Sequence, residues 1–184
     1  TMAVNHQADL VMAFFGSGKK WNIEIDYSVE DRPLNTMGPL KIIKDLPEDF
    51  LIMNGDVLTD LDYSKFFDFH VRSKNLFTIS SFVREQVLDY GILEIGRNNI
   101  LTGFKEKPVE SYEVSMGIYM ANKTILDFIP AGKSYGFDRL MLDLIARKKK
   151  VSVKRHNSRW LDIGRSDDYA QAINEFGAKK GIYL

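Results

Sequence analysis

Apolar positions along this chain of 184 residues switch repeatedly between helical and strand periods. Leu10, Val11, Phe14 and Phe15 recur at helical spacing, which predicts a helix over 7–15, stopped by Gly16-Ser17-Gly18. Ile23, Ile25, Tyr27 and Val29 alternate with polar residues, which predicts a strand over 23–29. Phe50-Leu51-Ile52-Met53 is a continuous apolar run, the pattern of a strand covered on both faces. A helix is predicted at about 62–73, with Phe66, Phe69 and His70 on one side, followed by a strand from Phe77 to Val83. Ile92–Ile95 and Ile100–Phe104 flank Gly96-Arg97-Asn98-Asn99, which predicts a hairpin. Val114 to Met120 reads as a strand. Phe137, Leu140, Leu144 and Ile145 mark a helix ending near Lys149, and Val151 and Val153 alternate in a further strand. Ser166-Asp167-Asp168 suits the N-cap and first turn of a last helix, with Tyr169, Ala172, Ile173 and Phe176 inward and Gly177 as its stop.

Strands alternating with helices predict an α/β fold with a largely parallel sheet, to which the hairpin adds an antiparallel element. In such sheets ligands bind in the crevice beyond the carboxyl ends of the strands. There is no internal repeat, no low-complexity segment and no Gly/Ser linker, so residues 1–184 read as a single domain. The beginning is unusual for a domain: an apolar segment ends within five residues, with no helix or turn before it.

Composition narrows the function classes. The 25 Lys+Arg balance the 25 Asp+Glu, which gives no global reason to expect nucleic-acid or anionic-membrane binding. The absence of cysteine excludes a disulfide scaffold, Cys-ligated zinc, an Fe–S site and thiol catalysis in this chain, and fits a reducing cytoplasm. No apolar run reaches the roughly 18–20 residues of a membrane span. The N-terminal residues lack the basic and apolar regions of a signal peptide. The basic run Arg147-Lys148-Lys149-Lys150 sits at a helix C-terminus, where cations are favourable, and reads as solvated surface. His70 reads as a packed, hydrogen-bonded core residue, and His6 and His156 have no partner at metal spacing. No Gly-x-x-x-x-Gly-Lys-Ser/Thr, Gly-x-Ser-x-Gly or Gly-x-Gly-x-x-Gly occurs.

Four segments carry candidate chemistry. Asp56 follows the apolar run and Asn54-Gly55, which places a carboxylate at a strand's C-terminal edge. Asp162 sits between apolar residues in Trp160-Leu161-Asp162-Ile163-Gly164. Two carboxylates 106 positions apart in the chain could meet over one crevice and hold Mg²⁺, which takes one or two protein carboxylates plus substrate phosphates. In Lys105-Glu106-Lys107-Pro108 the proline should force Lys107 into an extended conformation, projecting a fixed charge for a phosphate, with Glu106 offered to hydroxyls. The constrained turn Pro33-Leu34-Asn35-Thr36-Met37-Gly38-Pro39-Leu40 could present backbone groups to a nucleobase. Each segment taken alone also has an ordinary structural reading, as a cap, a protected hairpin edge or a loop.

The order of these segments is more specific than any one of them. Tyr27-Ser-Val-Glu30, Pro33-Leu-Asn-Thr-Met-Gly38, Asn54-Gly-Asp56, Asp89-Tyr-Gly91, Gly103-Phe-Lys-Glu-Lys-Pro108, Val114-Ser-Met-Gly-Ile-Tyr119 and Trp160-Leu-Asp-Ile-Gly164 run in sequence. The chain resembles the sugar-phosphate nucleotidyltransferases, or nucleoside-diphosphate-sugar pyrophosphorylases, over about residues 3 to 177. Within that family, the Pro-Leu-x-Thr-x-Gly turn and Trp-Leu-Asp-Ile-Gly lean toward the mannose-1-phosphate guanylyltransferase-like branch.

The resemblance implies a Rossmann-like, mixed but mainly parallel sheet flanked by helices. It also implies an enzyme that takes a nucleoside triphosphate and a sugar 1-phosphate to a nucleotide sugar and pyrophosphate. By position, Asp56 and Asp162 match the aspartates that hold catalytic Mg²⁺, and Lys107 the lysine on the sugar phosphate. Glu106, Gly91 and Ser115 match positions facing the sugar, and Asn35, Thr36 and Gly38 the nucleobase turn. Uridylyl, thymidylyl or cytidylyl transfer to glucose 1-phosphate stays open, as does a homo-oligomeric state. A non-catalytic regulatory or binding subunit of the same fold is the alternative reading.

Three departures from the family pattern stand out. The family turn Leu-Gly-Thr-Ala-Gly-Ala-Leu is here Leu34-Asn-Thr-Met-Gly-Pro-Leu40, in which Asn35 can still take left-handed angles. The family's Val-Asn-Ala-Gly is here Val114-Ser115-Met116-Gly117, which changes a sugar contact. The Gly-rich loop that cradles the triphosphate is absent from this chain. The resemblance therefore implies an N-terminally truncated domain whose first strands and helices are missing, on the order of sixty residues at ~30 per βαβ unit. Such a fragment is expected to be inactive alone.

Overall fold

The computed structural model describes residues 1–164 and 166–183. The elements in chain order are β1 (Met2–Val4), α1 (Ala8–Phe15), β2 (Tyr27–Val29), β3 (Asp49–Met53), β4 (Val57–Thr59), α2 (Tyr63–Arg72), β5 (Phe77–Val87), β6 (Ile92–Ile95), β7 (Leu101–Lys105), β8 (Val109–Asn122), α3 (Phe137–Ala146), β9 (Val151–Arg155), β10 (Trp160–Asp162) and α4 (Ser166–Tyr183). β3, β8, β5 and β9 are hydrogen-bonded neighbours in that order. β1 and β2 pair parallel, whereas β4–β10 and β6–β7 pair antiparallel, so the architecture is mixed α/β. The chain divides into two compact units.

The first unit comprises Thr1–Leu51, Asp68–Thr78 and Met120–Ser152. Phe77, Met120, Ile125, Leu140 and Leu144 are buried in it. Burying each such side chain contributes about 1.5–3 kcal/mol. Leu140 and Leu144, four apart, share the inner side of α3. His70 is buried as expected, with Nδ1 2.8 Å from Thr78 Oγ1 and Nε2 3.3 Å from Asp49 Oδ1. Burial pushes its pKa below 6.5 and outweighs the nearby Asp49 carboxylate, so the ring stays neutral near pH 7.

The second unit comprises Ile52–Phe67, Ile79–Tyr119 and the chain from Val153 onward. Phe66, Met116 and Ile118 are buried in it. The Ser80 hydroxyl donates to the Ile118 carbonyl at 2.7 Å, which satisfies a buried polar group on β5. Asp62 caps α2, its Oδ1 accepting the Lys65 N–H at 2.9 Å. Arg97–Asn99 form the tight turn of the β6–β7 hairpin, with Asn98 and Asn99 in left-handed conformations that asparagine tolerates.

Four expectations are corrected. The strand expected over 23–29 is confined to Tyr27–Val29. Ile23 and Ile25 instead donate their N–H groups to Gly18 and Ser17, which folds this segment back on the glycine turn. β3 is not covered on both faces, because Leu51 and Met53 are 40% and 44% exposed. β3 ends the strand order, and its second face lies open among the described residues. In α4, Ala172 is buried but Tyr169 and Ile173 are exposed. The helix also continues through Gly177 to Tyr183, since that glycine does not take the left-handed angles of a helix stop.

Candidate active site

Asp56 and Asp162 are brought together by a three-residue ladder. β4 and β10 pair antiparallel with Val57 opposite Asp162, Leu58 opposite Leu161 and Thr59 opposite Trp160. Asp56 precedes Val57, and the Ile163 N–H extends the pairing by donating to the Asp56 carbonyl at 2.8 Å. The carboxylates then converge. A Cβ built on Gly164 would lie 3.1 Å from Asp162 Oδ1 and 3.1 Å from Asp56 Oδ2. Asp162 Oδ1 also accepts the Gly164 N–H at 3.1 Å, which fixes its rotamer.

The other end of the ladder is clamped by Asp60. Its carboxylate accepts from the Ser158 hydroxyl at 2.5 Å and the Arg159 N–H at 2.9 Å, and lies 2.8 Å from His156 Nε2. Burial raises the pKa of Asp60, but the hydrogen bonds and the His156 charge outweigh it and hold the carboxyl below 3.8. Trp160 ties β10 to β8, its indole N–H donating to the Met116 carbonyl at 3.0 Å. Its ring also contacts Phe82, with centroids 5.7 Å apart.

A cleft of about 730 Å³ opens beside Asp162, lined also by Arg84, Glu85, Tyr112, Ser115 and Trp160. Ser115 therefore shares a cavity with one of the two aspartates. Its hydroxyl lies 3.2 Å from the Tyr119 hydroxyl, whose pKa burial raises. Next to it Gly117 adopts φ 75°, and a Cβ there would lie 2.8 Å from Asn54 Nδ2. The missing side chain lets the Asn54 N–H reach the Gly117 carbonyl at 2.8 Å, which anchors the segment leading to Asp56.

Gly91, Glu106 and Lys107 meet at the root of the β6–β7 hairpin, where the register Ile92 opposite Lys105 places Gly91 opposite Glu106. Lys107 differs from expectation: its φ is 40°, left-handed rather than extended. β8 begins at Val109, immediately after Pro108, so this conformation falls in the short connection between β7 and β8 and costs about 1–2 kcal/mol. Its ammonium is not free but lies 2.6 Å from Asp89 Oδ1.

In the first unit, Asn35 is left-handed with φ 65°, as expected. Its Oδ1 accepts the Thr36 N–H at 2.7 Å, and the Thr36 hydroxyl accepts the Phe137 N–H at 2.8 Å. Gly38 is buried, and the N–H groups of Met37 and Gly38 both point at the Tyr135 carbonyl, each at 3.0 Å. Those two amides hold the turn in shape and are not turned outward. Pro33, Asn35 and Thr36 are its exposed members.

Three features escaped sequence reasoning: the Asp60 clamp, the Trp160 indole bond and Arg84 in the cleft. Arg84 lies just beyond the strand predicted from Phe77 to Val83, and β5 in fact runs on to Val87.

A profile described as nucleotidyl transferase matches residues 2–179. The chain belongs to the nucleotidyl transferase family. D-glycero-alpha-D-manno-heptose 1-phosphate guanylyltransferase of Aneurinibacillus thermoaerophilus is 29% identical over 95% of this chain and 76% of its own length. UTP–glucose-1-phosphate uridylyltransferase of Synechocystis sp. is 30% identical, over 92% of this chain and 49% of its own length. Mannose-1-phosphate guanyltransferase of Candida albicans is 26% identical, over 91% and 49%. The chain thus spans three quarters of the first relative and about half of the other two. The crystal structure of HddC from Yersinia pseudotuberculosis shares the fold at a TM-score of 0.70 and 24% identity, covering 95% of this chain and 76% of that one. For this nucleotidyl transferase chain, relatives that are all named as sugar-1-phosphate nucleotidyltransferases favour the catalytic reading over that of a binding subunit.

Two carboxylate oxygens around one point are a hard-donor set that fits Mg²⁺. No group of three or more metal-ligating side chains occurs among the described residues, so a cation here would draw its other ligands from water and substrate.

Proposed function

We propose that the protein transfers a nucleotidyl group from a nucleoside triphosphate to a sugar 1-phosphate. An oxygen of the sugar phosphate forms a bond to the α-phosphorus, and the bond from that phosphorus to the β-bridging oxygen breaks. The electron pair leaves with pyrophosphate. The observation that carries this reading is the convergence of Asp56 and Asp162 beside a glycine that leaves the space between them open.

Asp56 and Asp162 would hold Mg²⁺, which when bound neutralises phosphate charge. Lys107 grips the incoming phosphate through its ammonium, and Asp89 sets the direction of that charge. Glu106, Gly91 and Ser115 face the sugar, while Asn35, Thr36 and the turn shaped by Gly38 face the nucleobase. Transfer of this kind asks mainly for alignment and charge stabilisation from the protein. The heptose- and mannose-directed relatives support guanylyl transfer, and the uridylyl relative makes UTP the second nucleotide to try. We place residues 1–184 in one nucleotidyltransferase-like domain acting in the cytoplasm.

Pyrophosphate release by the full-length protein, over a panel of nucleoside triphosphates and sugar 1-phosphates with Mg²⁺, tests the proposal. One pair should turn over well above the rest, and Asp56→Asn and Asp162→Asn should abolish it with little change in melting temperature. Absence of release with every pair, or wild-type rates in both variants, would overturn the reading.

A further inference from the structure

The reaction proposed above leaves one cation of the cleft unused. Arg84 stands on β5 two positions after Phe82, and side chains two apart share a strand face. Phe82 touches the Trp160 ring, and Asp162 stands two positions after Trp160 on β10. Two strands that meet at an aromatic pair thus carry a guanidinium and a carboxylate in step. Arg84, Trp160 and Asp162 all line both the cleft of about 730 Å³ and an adjoining recess of about 140 Å³.

The guanidinium is loosely anchored. Its ion pair is with Asp168 Oδ1 at 3.6 Å, beyond hydrogen-bond length, and 44% of the Arg84 side chain is exposed. Asp168 is largely buried, and its Oδ2 has no hydrogen-bond partner among the described residues. The pair orients Arg84 without occupying its five N–H donors, a fork that matches the oxygens of a phosphate. Glu85, Tyr112 and Ser115 also line the large cleft and suit hydroxyl groups better than an anion.

We infer that Arg84 binds the phosphate of the sugar 1-phosphate across the cleft from Asp162, with Asp168 as its positioning residue. This rests on the proposed reaction. Bringing a phosphate up to a triphosphate sets like charges together, and the ammonium of Lys107 is already shared with Asp89. Arg84 supplies a second cation at the approach.

Steady-state kinetics of the full-length protein with Arg84→Met, Arg84→Lys and Asp168→Asn tests this. Arg84→Met should raise KM for the sugar 1-phosphate about tenfold or more and leave KM for the nucleotide within about twofold. Arg84→Lys should recover part of the loss, and Asp168→Asn should raise the same KM by a smaller factor. Calorimetric binding of the sugar 1-phosphate alone should weaken in parallel, a readout independent of turnover. Unchanged sugar-phosphate KM and binding in Arg84→Met would overturn the inference. So would equal losses of melting temperature in Arg84→Met and Asp168→Asn with unchanged KM, which would make the pair a fastener for α4. If Arg84→Met does not fold, the Arg84→Lys and Asp168→Asn binding data decide by the same criterion. Failure of the underlying reaction looks different, since the wild-type protein would then release no pyrophosphate with any pair.

Discussion

Asp56 Oδ2 and Asp162 Oδ1 each lie 3.1 Å from the place where a Cβ on Gly164 would stand. The two carboxylates stand far apart in the chain, one just before β4 and one at the end of β10, and a glycine just beyond the second leaves the space between their oxygens open. Gly164 is not in the left-handed region, so its role is spatial rather than conformational.

Gly164→Ala should therefore damage function more than folding. The added methyl would crowd both carboxylates and any cation between them. We expect Mg²⁺ affinity to fall by about 10–100-fold, as when the surroundings of a metal site are disturbed. A titration of pyrophosphate release against Mg²⁺, beside a melting curve that barely moves, checks this.

Asp60→Asn should lower both stability and turnover. The substituted amide cannot accept from Ser158, Arg159 and His156 together, and one partly buried donor is left unpaired. A loss of about 1–3 kcal/mol is expected in chemical denaturation. Because the clamp fixes the ladder that carries Asp162, kcat should fall while KM for the nucleotide changes little.

Lys107→Met should act on one substrate. We expect kcat/KM for the sugar 1-phosphate to fall by about 100-fold, equivalent to about 2.8 kcal/mol. KM for the nucleotide should hold. Asp89→Asn, which frees the ammonium from its partner at 2.6 Å, should have a smaller effect in the same assay.

Acid stability should depend on Glu113. The Arg155 guanidinium, then the Ser81 hydroxyl, hold its carboxyl at about 2 against an ordinary 4.5, outweighing desolvation. A carboxyl lowered in the folded state contributes stability that is fully present above 4.5 and is lost as pH falls toward about 2. Melting temperatures of wild type and Glu113→Gln should therefore differ at neutral pH and converge across that acid window.

The sequence reached the fold class, most elements and the residues of the aspartate pair. Periodicity works where one side of an element is buried, as for Leu140 and Leu144 on α3. It misled at Ile23 and Ile25, whose alternation belongs to a loop held by Ser17 and Gly18. At Lys107 the local rule for a residue before proline was overridden in the short connection between β7 and β8. The Asp60 clamp and the Asp89 partner of Lys107 were invisible for a simpler reason. A lone Asp carries no mark of what will stand opposite it once strands pair.

The β4–β10 ladder also sets an order of events for the growing polypeptide. Closing a loop of about one hundred residues costs roughly 4 kcal/mol in chain entropy, and the three residue pairs, the Ile163 bond to Asp56 and the Asp60 clamp are gained directly in return. The aspartate pair therefore cannot exist on a nascent chain until translation has passed Asp162. A cation seated between the two carboxylates would hold that closed loop shut.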